Sequence, residues 1–140
     1  MPDSPSGVVP YPLAMVVSDA VHADPSTGKK TILGTFSSIL ATAFPAVHPA
    51  LAVFLAFTDC VGKIPLRLCL VTVDDEGDPV FDVSSEVQSS DRRAVIEAVF
   101  QLNGVLFPEP GEYRLQAHAC GQFLIERRIL VINPQESIHE

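Results

Sequence analysis

The stretch Phe107-Pro-Glu-Pro-Gly-Glu-Tyr113-Arg-Leu115 decides the fold. Pro108, Pro110 and Gly111 make a tight corner, because proline presets φ and glycine accepts backbone conformations that other residues avoid. Tyr113 stands two residues past Gly111, at the head of a run with a clear alternation. Tyr113, Leu115, Ala117 and Ala119 fall on one face, and Arg114, Gln116 and His118 on the other. A period of two is a β-strand with one apolar side. A phenol on that side needs a hydrogen-bond partner. Residues 107–111 read as a structural corner that feeds this strand, with Gly111 and Tyr113 at its exit.

Working outward, segment 94–105 puts Ala94, Ile96, Ala98, Phe100 and Leu102 on one face and Glu97, Gln101 and Asn103 opposite. Beyond the corner, a turn near Gly121 leads into a strand at 123–132, which Asn133-Pro134 ends. Further strand-like segments lie at 13–21, 31–40, 50–57, 64–73 and 80–87, separated by turn chemistry such as Asp24-Pro-Ser-Thr-Gly-Lys29. In 31–40, Ile32, Phe36 and Leu40 read as one face. Phe44-Pro-Ala-Val-His-Pro49 reads as a connection. The expected class is all-β, an antiparallel β-sandwich of about eight strands. The alternative is α+β with a helix at 91–102, where Ala94, Glu97, Ala98 and Gln101 tolerate helix; Val95, Ile96, Val99 and Val105 favour strand. Residues 1–11 read as a disordered or loosely docked arm, 12–133 as a single sandwich domain, and 134–140 as a polar tail.

The chain of 140 residues carries a net charge of −8. Phosphate backbones and anionic lipid surfaces repel such a protein, so neither nucleic acid nor membrane is an expected partner. Residues 1–7 lack the basic and apolar regions of a signal peptide. Cys60, Cys69 and Cys120 are scattered, with no CxxC pair, and read as reduced thiols of a cytoplasmic protein.

At the corner, Gly111-Glu-Tyr113-Arg-Leu115 followed by a hairpin into 123–132 resembles the last two strands of an immunoglobulin-like domain. That resemblance implies a Tyr113 hydroxyl bonded backwards to the corner backbone. Leu115 stands where antibody-type domains place a cystine, so the likeness is to the architecture. The chain from Leu13 to Val131 also resembles an uncharacterised bacterial family. The matching strings are Val17-Ser-Asp-Ala-Val-His22, Asp24-Pro-Ser-Thr-Gly-Lys29-Lys-Thr-Ile-Leu-Gly-Thr35-Phe, Phe44-Pro-Ala-Val-His-Pro49 and Glu126-Arg-Arg128. This resemblance implies a compact domain and no assigned activity.

Catalytic chemistry has no legible carrier. There is no G-x-S-x-G, no phosphate-binding glycine motif, and no basic neighbour to activate a cysteine. Loops at one end gather His22, Asp24, Asp59, Cys60, Asp91 and Cys120, and those at the other gather His48, Asp74, Asp75, Glu76, Asp78, Glu109 and Glu112. Turn chemistry and solvated acidic turns account for both, so no metal and no cofactor is expected. The strand 50–57 carries more apolar surface than a one-sided strand needs. With Leu51, Val53, Leu55 and Phe57 inward, Ala52, Phe54 and Ala56 point outward. Placed beside strand 113–119, that row meets Gln116 and His118. These five residues form the expected interface of a non-catalytic protein-binding or structural module, its partner another protein or a second copy in a homodimer. The alternative is a small-molecule or metal-binding module using the loops of one end.

Overall fold

The computed structural model describes residues 10–73 and 78–135, which hold nine strands. They are β1 (Tyr11–Ala23), β2 (Lys30–Thr35), β3 (Ser38–Leu40), β4 (Ala46–Thr58), β5 (Gly62–Thr72), β6 (Phe81–Ser89), β7 (Ile96–Phe107), β8 (Gly111–Ala119) and β9 (Gln122–Ile132). A four-stranded sheet in the order β2-β1-β4-β7 faces a five-stranded sheet in the order β3-β9-β8-β5-β6. Every pairing is antiparallel except β3 with β9. The protein is an all-β sandwich. Residues 1–9 of the expected arm, Asp74–Gly77 of the acidic turn and 136–140 of the tail lie outside the described residues. Pro10 is buried, and Tyr11 already belongs to β1.

Alternation places the core. Met15 and Val17 of β1, Leu51, Val53, Leu55 and Phe57 of β4, and Ile96, Ala98 and Phe100 of β7 meet Ile64, Leu66, Leu68 and Leu70 of β5 and Leu115, Ala117 and Ile129 of the opposite sheet. Segment 96–107 is strand, paired with β4 along its length. The helix at 91–102 does not form; its β-branched residues lie in a ladder that satisfies the backbone. At Gly104, with φ +67°, β7 changes the parity of its buried residues, from Ile96, Ala98 and Phe100 to Val105 and Phe107. The switch carries Phe107 edge-on to Tyr113, ring centres 5.1 Å apart.

Three expectations are corrected. Segment 31–40 is not one strand: β2 pairs with β1, the ladder breaks at Phe36–Ser37, and β3 crosses to the other sheet beside β9. The break moves the alternation by one residue, so Ile39 is buried and Leu40 is 67% exposed. Pro49 lies inside β4, where β1 has already left its side after the pair Ser18–Ala52. Proline is tolerated in a strand lacking a partner on one side. Finally, β4 lies between β1 and β7, not beside β8. Taking 31–40 as one full strand displaces every later strand by one place.

The β1–β2 hairpin does not continue the plane of its sheet. Lys30 pairs with Ala23, whereas Glu97 stands level with Ala14 through Ala56. A straight β1 would put Ala23 about 30 Å beyond Ala14, on the far side of β4 from β7. Yet Lys30 Nζ lies 2.8 Å from Glu97 Oε1. The hairpin therefore bends after Ser18 and folds across the outside of β4 toward the start of β7. The fully buried Ser18 donates its hydroxyl to the Ala20 carbonyl at the bend, 3.1 Å away. Gly34, φ +73°, packs there so closely that a Cβ would lie 2.5 Å from the Asp19 carboxylate. Gly34→Ala is expected to cost about 1–3 kcal/mol. Gly28→Ala, with a similar φ of +75° and no neighbour within 4 Å, bears only the backbone part of that cost. Thermal denaturation of the two variants separates the contact from the dihedral.

The open side of β1 is stitched by two bonds. Arg127 of β9 donates from Nη1 to the Met15 carbonyl at 2.9 Å, and the Phe36 N–H donates to the Val17 carbonyl at 3.2 Å.

Candidate functional site

The corner is built as its residues imply. Tyr113 is 1% exposed, and its hydroxyl donates to the Glu109 carbonyl at 2.6 Å and accepts from the Glu109 N–H at 3.3 Å. Burial pushes the phenol pKa up. The corner fixes where β8 begins, and hence which β8 side chains leave the core.

The five expected interface residues do not share a surface. Ala52, Phe54 and Ala56 do lie on one face of β4, between Ser18, Val16 and Ala14 of β1 and Gln101, Val99 and Glu97 of β7. Under the folded-over hairpin, however, Ala52 is 0% and Ala56 5% exposed, and Phe54 is half-buried. Gln116 and His118 belong to β8, in the other layer of the sandwich. Strand parity turns both rows away from the core, but β4 and β8 belong to different sheets and the rows do not adjoin.

Gln116 and His118 sit instead in a ladder on the outer face of the five-stranded sheet. One row across it reads Ser84, Arg67, His118, Phe123, and the next Asp82, Cys69, Gln116, Glu126. Polar contacts bind the rows together. Arg67 holds Asp82 through two bonds, Nε to Oδ1 at 2.9 Å and Nη2 to Oδ2 at 2.7 Å. Gln116 Nε2 and Arg114 Nη1 both donate to Glu126, each at 3.1 Å. Arg114 and Arg128 both reach Glu112, again at 3.1 Å. The Arg67 guanidinium holds the Asp82 carboxyl below its ordinary pKa, and Glu112 and Glu126 raise that of Arg114.

Phe123 and His118 interrupt this polar ladder. Phe123 is 56% exposed and meets the His118 ring edge-on, centres 5.9 Å apart. The Nδ1 of His118 is buried and has no hydrogen-bond partner. Beside it opens a shallow cleft of about 370 Å³ lined by Pro65, Arg67, Ser84, Ser85 and Gly121. The residue types Ser, His and Asp coincide here, but not as a nucleophile and its base. Arg67 stands between Ser84 and His118 in the row, which separates them by about 10 Å at ordinary strand spacing. Asp82 is committed to Arg67.

At one end of the sandwich, the turns carrying Asp59, Cys60, Asp91 and Cys120 gather as the parity of the strands implies. The Asp59 N–H donates to the Arg92 carbonyl at 3.1 Å, and the Cys120 N–H to the Pro65 carbonyl at 2.9 Å. Asp24 instead organises its own turn, its carboxylate accepting from the Ser26 N–H at 2.8 Å and the Ser26 hydroxyl at 2.9 Å. Among the described residues no group of three His, Cys, Asp or Glu side chains is placed to hold a metal ion. No helix among them is long and apolar enough to cross a membrane. Sequence reasoning missed Arg67, Asp82 and Phe123. The signal for Phe123 is an aromatic at the start of a strand next to a glycine turn, on the outward parity.

Residues 13–132 match the model of a family of unknown function, DUF6941. No curated protein matches the chain.

Proposed function

We propose, from the premise that the chain belongs to this family of unknown function, that it is a non-catalytic protein-binding module. Its recognition surface is the outer face of the five-stranded sheet around Phe123 and His118. The observation that carries this reading is the exposed Phe123, edge-on to a half-buried histidine and surrounded by polar side chains already bonded to one another. An aromatic anchor inside a polar rim has the make-up of an interface centre, where desolvating the ring supplies affinity and the rim sets orientation. Residues that neutralise each other within one chain present little net charge for a partner to desolvate. The ladder carries both signs, so a second copy of the chain can meet it about a two-fold axis. The strand order and the tyrosine corner support an immunoglobulin-like reading of the sandwich. The three free thiols support a cytoplasmic setting.

Sedimentation of the wild-type chain over a range of concentrations, beside Phe123→Glu, tests the reading. The exposed ring contributes little to the core, so the variant should keep its circular dichroism and melting profile while its association is lost. A wild-type chain that sediments as a monomer throughout removes self-association. A Phe123→Glu chain that associates like the wild type removes this face.

A further inference from the structure

Two thiols that are distant in sequence meet at the end of the sandwich where its layers are joined. Cys60 lies in the turn from β4 of the four-stranded sheet to β5 of the five-stranded sheet, and Cys120 in the turn from β8 to β9. Both side chains join the same core cluster there, and Cys120 is near enough to Cys60 to bear on its ionisation. Cys60 is 2% exposed and belongs to the core, while Cys120 is half-buried and packs against it. The backbone around each is pinned. Cys120 is held at φ +56° by the bond of its N–H to Pro65, and Asp59 at φ +68° by the bond of its N–H to Arg92. Non-glycine residues in the left-handed region mark turns whose surroundings over-determine their shape. Cys69 is separate, on the outer face of β5 with its sulfur 3.9 Å from Gln116 Oε1.

We propose that Cys60 and Cys120 are a reversible redox pair that closes to a disulfide when the protein meets a hydroperoxide. The more exposed Cys120 sulfur attacks one peroxide oxygen. An S–O bond forms, the O–O bond breaks, and the other oxygen leaves as water, or as an alcohol from an organic peroxide. The product at Cys120 is a sulfenic acid. The Cys60 sulfur then attacks the Cys120 sulfur. An S–S bond forms, the S–O bond breaks, and the departing oxygen leaves as water with the Cys60 proton. In sum two thiols give up two electrons and two protons, and the peroxide is reduced. The division of labour follows from environment. Burial, and next the neighbouring Cys120, push the Cys60 thiol up to about 11, so it is a poor first nucleophile and suits the second step. The closed bridge ties the β4–β5 and β8–β9 turns together. Gly121, next to Cys120, lines the His118 cleft, so closure fixes one wall of that cleft.

The test uses the purified chain treated with hydrogen peroxide, alkylated, digested and mapped by mass spectrometry. The expected result is an intramolecular link between the Cys60 and Cys120 peptides, an intact mass lower by two hydrogens, and a Cys69 that still alkylates. Dithiothreitol should reverse the link, and the oxidised chain should melt at a higher temperature than the reduced one, because a long loop is closed. Cys69→Ser should keep the link and Cys120→Ser abolish it. Should Cys60→Ser fail to fold, Cys120→Ser carries the comparison, since that residue is only half-buried. Free alkylation of Cys60 in the unfolded chain after oxidation, a Cys120 oxidised beyond the sulfenic acid with no link, or a bond only between two chains would each overturn the proposal.

Discussion

Ala52→Glu is expected to cost about 3–5 kcal/mol and, in a protein of ordinary stability, to leave much of the chain unfolded. Ala52 sits mid-strand in β4, between Ser18 and Gln101, on the side of the sheet turned away from the core. Strand alternation alone assigns that side to water, where a carboxylate is harmless. The folded-over hairpin assigns it to the interior: Ala52 is 0% exposed and Ser18 beside it is also fully buried. A glutamate there must either lose its hydration or push the hairpin off the sheet. Urea denaturation of the variant, followed by fluorescence or circular dichroism, gives the answer. A midpoint within error of the wild type would mean that the outer side of β4 is open and that the hairpin does not cover it. Phe54→Glu, at a half-buried position in the next row, should be milder and in the same direction.

Tyr113→Phe is expected to cost about 1–3 kcal/mol. The substitution keeps the ring and its contact with Phe107, and so isolates the hydroxyl. That hydroxyl serves both backbone polar groups of Glu109, accepting from its N–H and donating to its carbonyl. Removing it takes a partner from each. Equilibrium denaturation should show a lower midpoint with an unchanged slope, as the same surface is exposed on unfolding. An unaltered midpoint would mean that the corner owes nothing to the phenol.

Period-two alternation told which residues of a strand share a face, and it did so correctly for 50–57 and 113–119. It also made strand the better reading of 96–107, since Val95, Ile96, Val99 and Val105 suit a pleated sheet. Neither fact names a neighbour. Which strand lies beside β4 depends on how many strands precede it in each layer, and that count failed at Phe36-Ser37. Two residues there leave one sheet and enter the other without a proline or glycine to mark the crossing. The bend after Ser18 was hidden for a similar reason. It is accompanied by a close approach between Asp19 and Gly34, which no local pattern displays. So the row around Phe54 does lie on the outward face of its strand, and a segment some thirty residues away covers much of it. Gln116 and His118 were placed on an outer row correctly, because parity depends only on the strand they belong to. The meeting of Cys60 and Cys120 needs the two turns to share an end. Parity implied that sharing, but it says nothing of where a side chain points within a turn.

The bond from Arg127 to the Met15 carbonyl has a meaning beyond the single chain. β1 pairs with β4 on one side, and β2 takes up its other side only from Ser18 onward. Ahead of that point no strand of its own sheet lies beside it, although the Phe36 N–H takes the Val17 carbonyl, and a foreign strand can dock on such a rim. The guanidinium occupies one acceptor on this rim. It also confronts an arriving chain with a fixed charge, which that chain would have to strip of water before it could pair. Arg127→Ala is therefore expected to leave the sandwich folded but with the Met15 carbonyl bare on that rim, and light scattering against concentration, beside the wild type, reads whether strands then pair there.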